Sequence, residues 1–416
     1  MRIAIVGSGI SGLVVAHLLH EAHDITLFEA DDRIGGHAHT IDVANGDRRD
    51  GVDTGFVVFN EGAYPNFTRL LRRLNVESQE GDMSFSVQCA ASGLEYSSDS
   101  IDTLFAQRRN LLRPAFYRML ADIRRFYRDA QEVIAGNGHY RGVTLGDYLR
   151  QRGYSRAFVD QHIVPMGAAI WSAGPTQLES FPVSQFVRFF HNHSFLQVTG
   201  RPQWRTIRGG SRTYVDAISR PFRDRIRLNT PVKRVRRRDD CVEVTTDARE
   251  NERFDAIVLA VHSDQALRML EDPSEAEREV LGAIGYQRND TVLHTDRRML
   301  PAREKVWASW NYYRPKDATD RVAITYCMNK LQKLASPAPY CVTLNRDDAI
   351  DEARVIRRLV YHHPIFDDRA FDAQGRHAEI SGVRRTHYCG AYWGYGFHED
   401  GVRSALAVCR RFGRGL

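Results

Sequence analysis

Three glycines, Gly7, Gly9 and Gly12, stand at G-x-G-x-x-G spacing in "IVGSGISGL", residues 5–13. That spacing suits the binding of a pyrophosphate. The first glycine permits a tight turn, the second lets the backbone approach the anion, and the third lets the following helix pack close to the preceding strand. Ser11 lies inside the same turn, and Glu29 follows at the separation expected of an acid that holds ribose hydroxyls. Candidate proton carriers are His193, in the triplet His191-Asn192-His193, and His398. The histidines show no H-E-x-x-H or comparable ligand spacing and the six cysteines no C-x-x-C pair, so no metal is expected.

For the glycine turn to work, it must join a buried strand to a helix. The apolar run from Met1 to Val6 predicts that strand, Ser11 to about Ala22 a buried helix with its N-terminal amides toward the anion, and Asp24–Phe28 a second strand ending at Glu29. Glu29 would repel a 2′-phosphate, which disfavours NADP and leaves NAD and FAD open at this point. Phe254–Val261 reads as another buried strand, and Tyr388–Phe412 as a strand end, a glycine-rich turn and a helix beginning near Asp400. Ile226–Thr246 alternates on either side of Asp239-Asp240, which predicts a hairpin, with Lys233–Arg238 as a solvated strand face.

"FEADDRIGGHAHT", residues 28–40, resembles the extended cofactor signature of the FAD-dependent amine oxidase and phytoene desaturase superfamily. The resemblance implies FAD rather than NAD, with Arg33, Gly35, Gly36 and His37 at the cofactor. His37 departs from the superfamily, where an arginine usually follows the glycine pair; a neutral imidazole offers one donor where guanidinium offers five. "GVDTGFVVFN", residues 51–60, resembles the next motif, which implies Asp53, Gly55 and Phe56 close to the flavin ring. Matching positions further on place the backbone of Val232 at the adenine and Gly390, Phe397, His398 and Glu399 in the C-terminal flavin motif, although the usual Gly-Thr-Glu reads Gly390-Ala391-Tyr392 here. Cys389 is not at the usual thioether-linking position, so the implied FAD is noncovalent.

A narrower resemblance covers nearly the whole chain. "AAIWSA", "RPQWRTIRGGSRTYV", "LHTD", "WASWNYY" and "GYGFHEDG", in that order, resemble the bacterial predicted NAD/FAD-binding proteins often encoded beside cyclopropane-fatty-acyl-phospholipid synthase-like methyltransferases. It implies a lipid acyl-chain substrate and a methyltransferase of that kind as a partner. Trp171, Trp204 and Trp310 within these motifs, with Tyr392, are the candidates for a substrate pocket. Phe186, Phe189, Phe190, Trp307 and Tyr312 are aromatics suited to the same apolar channel.

At 416 residues and 43% hydrophobic, the chain can bury a large core and form two domains. The expected class is α/β: a Rossmann-like FAD-binding domain of the glutathione-reductase/amine-oxidase type from residues 1–85, 205–270 and 380–416, interleaved with an α+β substrate domain from 86–204 and 271–379. No apolar run of membrane-spanning length occurs and the chain enters its first strand directly, so a cytoplasmic protein with reduced thiols is expected. The net charge of +6 favours anionic partners, yet no nucleic-acid motif accompanies it. Arginines concentrate in residues 105–130, where 116, 120, 123 and 127 recur at helical spacing beside Arg118, Arg124, Arg125 and Arg128. This is either a solvated basic helix packed on the core or a peripheral contact with anionic lipid.

The activity expected is an FAD-dependent oxidoreductase that desaturates or dehydrogenates unsaturated or methylated acyl chains of membrane phospholipids. Its rivals are an amine or amino-acid oxidase and a non-catalytic flavoprotein that binds lipid or a partner. No second strand-linked G-x-G-x-x-G for NADPH is visible.

Overall fold

Four apolar residues in succession follow Arg2 in the strand Arg2–Val6, and Ile3, Ala4 and Ile5 have no exposed surface, as in a strand covered on both faces. The computed structural model describes residues 1–136, 138–197, 200–317 and 320–416. In it, Arg2–Val6 pairs in parallel with Asp24–Phe28 on one side and Ala256–Leu259 on the other; Ile226–Arg227 and Thr386–Tyr388 complete the sheet at its edges. One parallel sheet thus draws on three widely separated stretches of chain.

The turn after the first strand is forced by contact. Gly7 has φ +97°, and a Cβ on Gly12 would stand 1.9 Å from the Gly7 carbonyl oxygen. This closeness seats the helix Ile10–Leu19 against the sheet with Leu13, Val14, Val15, Ala16 and Leu19 fully buried, each large aliphatic side chain contributing about 1.5–3 kcal/mol. The helix His398–Arg411 packs beside it, and Gly401 allows the approach: a Cβ there would be 2.7 Å from Ile10 Cγ2.

A seven-stranded sheet has the order Val355–Ile365, Gly285–His294, Cys341–Leu344, Ile324–Cys327, Trp310–Arg314, Phe85–Cys89, Leu94–Ser97. It is antiparallel except where Trp310–Arg314 runs parallel to Phe85–Cys89. Phe85, grouped by the sequence reading with the dinucleotide segments, belongs to this second sheet. Helices Pro114–Ala135, Val164–Trp171 and Val183–Asn192 share its core.

The expected hairpin forms from Val232–Arg237 and Val242–Thr246, with Glu252–Phe254 as a third strand. Its charged run is not wholly solvated. Arg237 is buried, and its guanidinium donates to both Glu277 oxygens at 2.5 and 3.0 Å, while the Tyr388 hydroxyl donates to Glu277 Oε1 at 2.5 Å. The helix Pro114–Ala135 turns Phe116, Met119, Phe126, Ala130 and Val133 fully inward and leaves Leu120, Ile123 and Tyr127 half-buried against the same core. It also buries Asp122 and Asp129. Arg118 and Arg125 pair with Asp122, Arg128 pairs with Asp129, and the Tyr154 hydroxyl donates to Asp129 at 2.8 Å. All six cysteines are buried and unpaired.

Candidate active site

Ser8, inside the glycine turn, ties its neighbours together. Its N–H and hydroxyl donate to Glu29 Oε2 at 2.9 and 2.5 Å, and its carbonyl accepts the Gly35 N–H at 3.0 Å. The Asp31 N–H donates to Glu29 Oε1 at 3.0 Å, so three donors hold the carboxylate at the end of its strand and acceptor capacity remains. Gly36 meets Gly9 closely: a Cβ on Gly36 would be 3.0 Å from Gly9 Cα. Gly9 has no atom within 4 Å of its own Cβ position and faces open space. The cation beside the glycine pair is Arg33, which donates to the Gly36 carbonyl at 2.8 Å and to that of Ala38 at 3.4 Å.

Residues 37–39 and 54–56 run side by side. The Thr54 N–H donates to His39 O and the Phe56 N–H to His37 O, each at 2.9 Å, and a Cβ on Gly55 would stand 2.1 Å from His37 O. Asp53 is buried as a structural anchor. Its carboxylate accepts from the Thr40 hydroxyl at 2.6 Å, the Ser211 N–H at 2.9 and 3.0 Å, the Ser211 hydroxyl at 2.8 Å and Gln332 Nε2 at 3.0 Å. Its own N–H donates to Gln332 Oε1 at 2.9 Å. The motif therefore shapes this region through Gly55 and Phe56 rather than by exposing Asp53.

Two helix N-termini converge here, joined by a hydrogen bond from the Ser11 hydroxyl to the Gly401 carbonyl at 3.0 Å. The second is capped by Asp400, which accepts the N–H groups of Tyr395 and Phe397 at 2.9 and 3.1 Å; burial pushes its carboxyl up to about 6. Gly390 donates its N–H to Ser404 Oγ at 3.0 Å, and Phe397 stacks on Phe189 with ring centres 5.0 Å apart. Val232 opens its strand and packs into the hydrophobic cluster around Phe28.

Two residues expected at the cofactor have other employment. The Glu399 carboxylate caps the helix Pro65–Arg73, accepting the N–H groups of Asn66 at 3.1 Å and Phe67 at 3.0 Å and the Asn66 side chain at 2.5 Å. His398 stacks on Phe56 at 3.5 Å between ring centres, with its Nε2 3.0 Å from the Tyr214 hydroxyl. Burial holds its pKa down to about 3, so the stacked ring is neutral.

The structure adds residues that motif spacing could not reveal. His37 Nε2 lies 3.3 Å from Nε2 of His363, and Asn289 Nδ2 lies 3.1 Å from the other nitrogen of His363. Backbone groups set the polarity of this chain. Asn345 donates its amide to Val322 O and accepts from the Asp290 N–H, so its remaining N–H meets Asn289 Oδ1 and turns Asn289 Nδ2 toward His363. His363 Nδ1 must accept, which puts its proton on Nε2, facing His37. Burial and the surrounding histidines lower the pKa of both rings, that of His363 to about 4. Tyr361, two residues before His363 on the same strand face, meets His39 Nδ1 at 3.1 Å and Thr54 Oγ1 at 2.7 Å. The sequence signal was the Tyr361-His362-His363 run in an otherwise aliphatic and basic strand.

Of the expected pocket residues, Trp204 and His193 come together; Trp171, Trp310 and Tyr392 do not join them. Trp204, His193 and Phe195 present rings within 15° of parallel and line a cleft of about 440 Å³. Trp171 packs on Phe181 and Phe189 beside a void of about 10 Å³ that His363 also lines, and Trp310 packs against Tyr326. Tyr392 is buried over Gly390. Phe186, Phe189, Phe190 and Tyr312 are core, and Trp307 donates its indole N–H to Pro301 O at 2.7 Å, so none of them forms the expected channel. His193 faces the cleft with a defined tautomer. Its Nδ1 lies 3.0 Å from the Phe189 carbonyl, which can only accept, so the Nε2 lone pair is free to take a proton. Burial keeps its pKa near 4 and the ring neutral.

The open face of Gly9, the paired helix N-termini and the Glu29 carboxylate fit a dinucleotide. The comparisons agree. The sequence profile of the "flavin containing amine oxidoreductase" family matches residues 10–352. No curated protein matches significantly. Among solved structures, a CLA-producing fatty acid isomerase from P. acnes has a TM-score of 0.71 at 18% identity over 99% of this chain and 98% of its own. A putrescine oxidase double mutant has a TM-score of 0.70 at 15% identity over 100% of both chains. Cyclohexylamine oxidase from Brevibacterium oxydans has a TM-score of 0.69 at 16% identity over 99% of both. The fold is that of these enzymes, and the chain belongs to the flavin-containing amine oxidoreductase family as a flavin-dependent oxidoreductase.

Proposed function

We propose that the chain binds FAD noncovalently and dehydrogenates an unsaturated or methylated fatty-acyl chain. The observation that carries this reading is the cleft wall of His193, Phe195 and Trp204, three near-parallel rings against which a hydrocarbon chain can lie, with Arg201 and Lys333 in the same lining to hold a carboxylate or phosphate headgroup. The shared fold of a fatty acid isomerase supports it.

Gly7, Gly9, Gly12, Gly35 and Gly36, with Glu29 and the Ile10–Leu19 N-terminus, would hold the cofactor, and Arg33 would offset phosphate charge. FAD supplies a hydride acceptor, N5, when bound. The chain's own part is to desolvate the acyl chain, orient it against the rings and take a proton at His193 Nε2. His193 connects cleft and cofactor end, since its ring lies 5.8 Å from that of Phe397 and 6.1 Å from that of Tyr64.

A second reading has its own observation. Glu80, Asp82 and Asp99 also line the cleft and would suit a cationic amine, as the putrescine and cyclohexylamine oxidases among the structural neighbours suggest. The anaerobic visible spectrum separates the two. Flavin bands that bleach on addition of vesicles with unsaturated or methylated phospholipids, and not with diamines, support acyl dehydrogenation. Bleaching by amines alone overturns it.

A further inference from the structure

We propose that residues 101–118 form a docking surface for an anionic phospholipid bilayer, which holds the mouth of the cleft against the membrane. Four large apolar side chains are exposed within this one short stretch: Ile101 at 80%, Leu111 at 47%, Leu112 at 87% and Tyr117 at 47%. Ile101, Leu111 and Leu112 belong to short turns before Pro114–Ala135 and Tyr117 to its first turn, and none is among the residues the helix packs inward, so its own apolar stripe does not supply the surface.

The charge around them is complementary to one partner. Arg108, Arg109, Arg113 and Arg118 lie among the apolar side chains, and the stretch contains a single acid, Asp102, held by Arg108 and Lys305. Over residues 105–130, seven arginines face two aspartates, and both aspartates are buried. Among the described residues Arg113 and Arg124 have no carboxylate partner, so their charge is free for phosphate. Leucine side chains that insert at headgroup depth, flanked by arginines that meet anionic headgroups, make an interfacial anchor. No helix among the described residues is long and apolar enough to cross a membrane, so attachment of this kind is peripheral.

The place of the surface matters. Ser98 and Asp99 line the cleft and Ile101 follows two residues later, so the patch begins at the cleft's edge. A substrate held in the bilayer reaches His193 and Trp204 without crossing water. The surface itself does not depend on which substrate is oxidised.

The test is cosedimentation of the flavin-loaded protein with phosphatidylcholine vesicles, with and without phosphatidylglycerol. Binding should require the anionic lipid and weaken with salt. Leu111→Ser with Leu112→Ser, and separately Arg109→Glu with Arg113→Glu, should each lower binding at least tenfold. Leu228→Ser, exposed elsewhere, should leave it unchanged. An unaltered flavin spectrum and melting temperature show that each variant is folded. Patch variants that bind like the wild type overturn the proposal. So does a wild type that ignores vesicles but forms a concentration-dependent dimer abolished by the same substitutions, which would make a second copy the occupant.

Discussion

His37 and His363 point their Nε2 atoms at each other across 3.3 Å, although 326 residues separate them in the chain. One ring comes from the glycine-rich segment and the other from an edge strand of the seven-stranded sheet, so this contact ties the glycine-rich loop to that sheet. With Asn289 orienting His363, the pair carries one proton between its facing nitrogens and no net charge. Nitrogen NMR of labelled protein should find His363 protonated at Nε2 and His37 at Nδ1, both neutral through pH 6. Because the folded pKa values lie below the unfolded one, stability is lost as pH falls from about 6.5 toward 4. His363→Leu should weaken FAD binding about tenfold, the weight of one hydrogen bond, and His363→Gln, which can still donate, should restore most of it. Charged rings at pH 6, or an unaffected His363→Leu, would refute the arrangement.

Glu399 caps the neighbouring helix Pro65–Arg73. Its two oxygens receive the first free N–H groups of Pro65–Arg73 and the Asn66 side chain. Glu399→Ala leaves those donors without a partner in a buried setting and should lower unfolding free energy by about 1–3 kcal/mol. FAD affinity, measured by fluorescence titration of the refolded protein, should change little. A large loss of affinity at unchanged stability would return the residue to the cofactor.

Local signals were legible in the chain and distant ones were not. The strand, the glycine turn, the helix and Glu29 lie within thirty residues, and their spacing alone carries the geometry. The hairpin around Asp239-Asp240 was equally plain, yet alternation cannot say which charge turns inward, and Arg237 went to Glu277. Helical periodicity likewise announced an apolar stripe on Pro114–Ala135 and left open what covers it. Trp171 and Trp310 looked like pocket residues because of their motifs, but which faces of their elements meet is a tertiary fact. The same holds for Gln332 at Asp53 and for His363 at His37, contacts closed only by the assembled sheets.

Asp53 gives stability a pH signature. Burial pushes its carboxyl up to about 6 against the opposing pull of the Thr40 and Ser211 donors. An acid whose pKa is higher folded than unfolded binds extra protons in the folded state between about 4 and 6, so its contribution is complete at the acid end and is lost as pH rises through that window. A rise of about two units corresponds to about 3 kcal/mol. Compared with Asp53→Asn, which does not titrate, the wild type's relative stability in urea should drop by about that amount from pH 4 to pH 7. A constant difference would mean that the donors keep the carboxylate ionised throughout.

Gly9 and Gly12 separate cofactor binding from folding. Gly9 has φ −65° and ψ 177°, extended backbone open to any residue, and nothing lies within 4 Å of its Cβ position. Gly9→Val should therefore fold with an unfolding free energy within about 0.5 kcal/mol of the flavin-free wild type. It should nevertheless purify colourless, because the added methyls occupy the place of the pyrophosphate. Gly12→Ala acts on the fold instead: its methyl would meet the Gly7 carbonyl oxygen at 1.9 Å and force strand and helix apart, costing at least about 1–3 kcal/mol. Urea denaturation of the flavin-free proteins reads the first quantity and the visible spectrum the second. A Gly9→Val protein that purifies yellow would place the pyrophosphate elsewhere, and one that is colourless but unfolded would mean that Gly9 serves the turn rather than the cofactor.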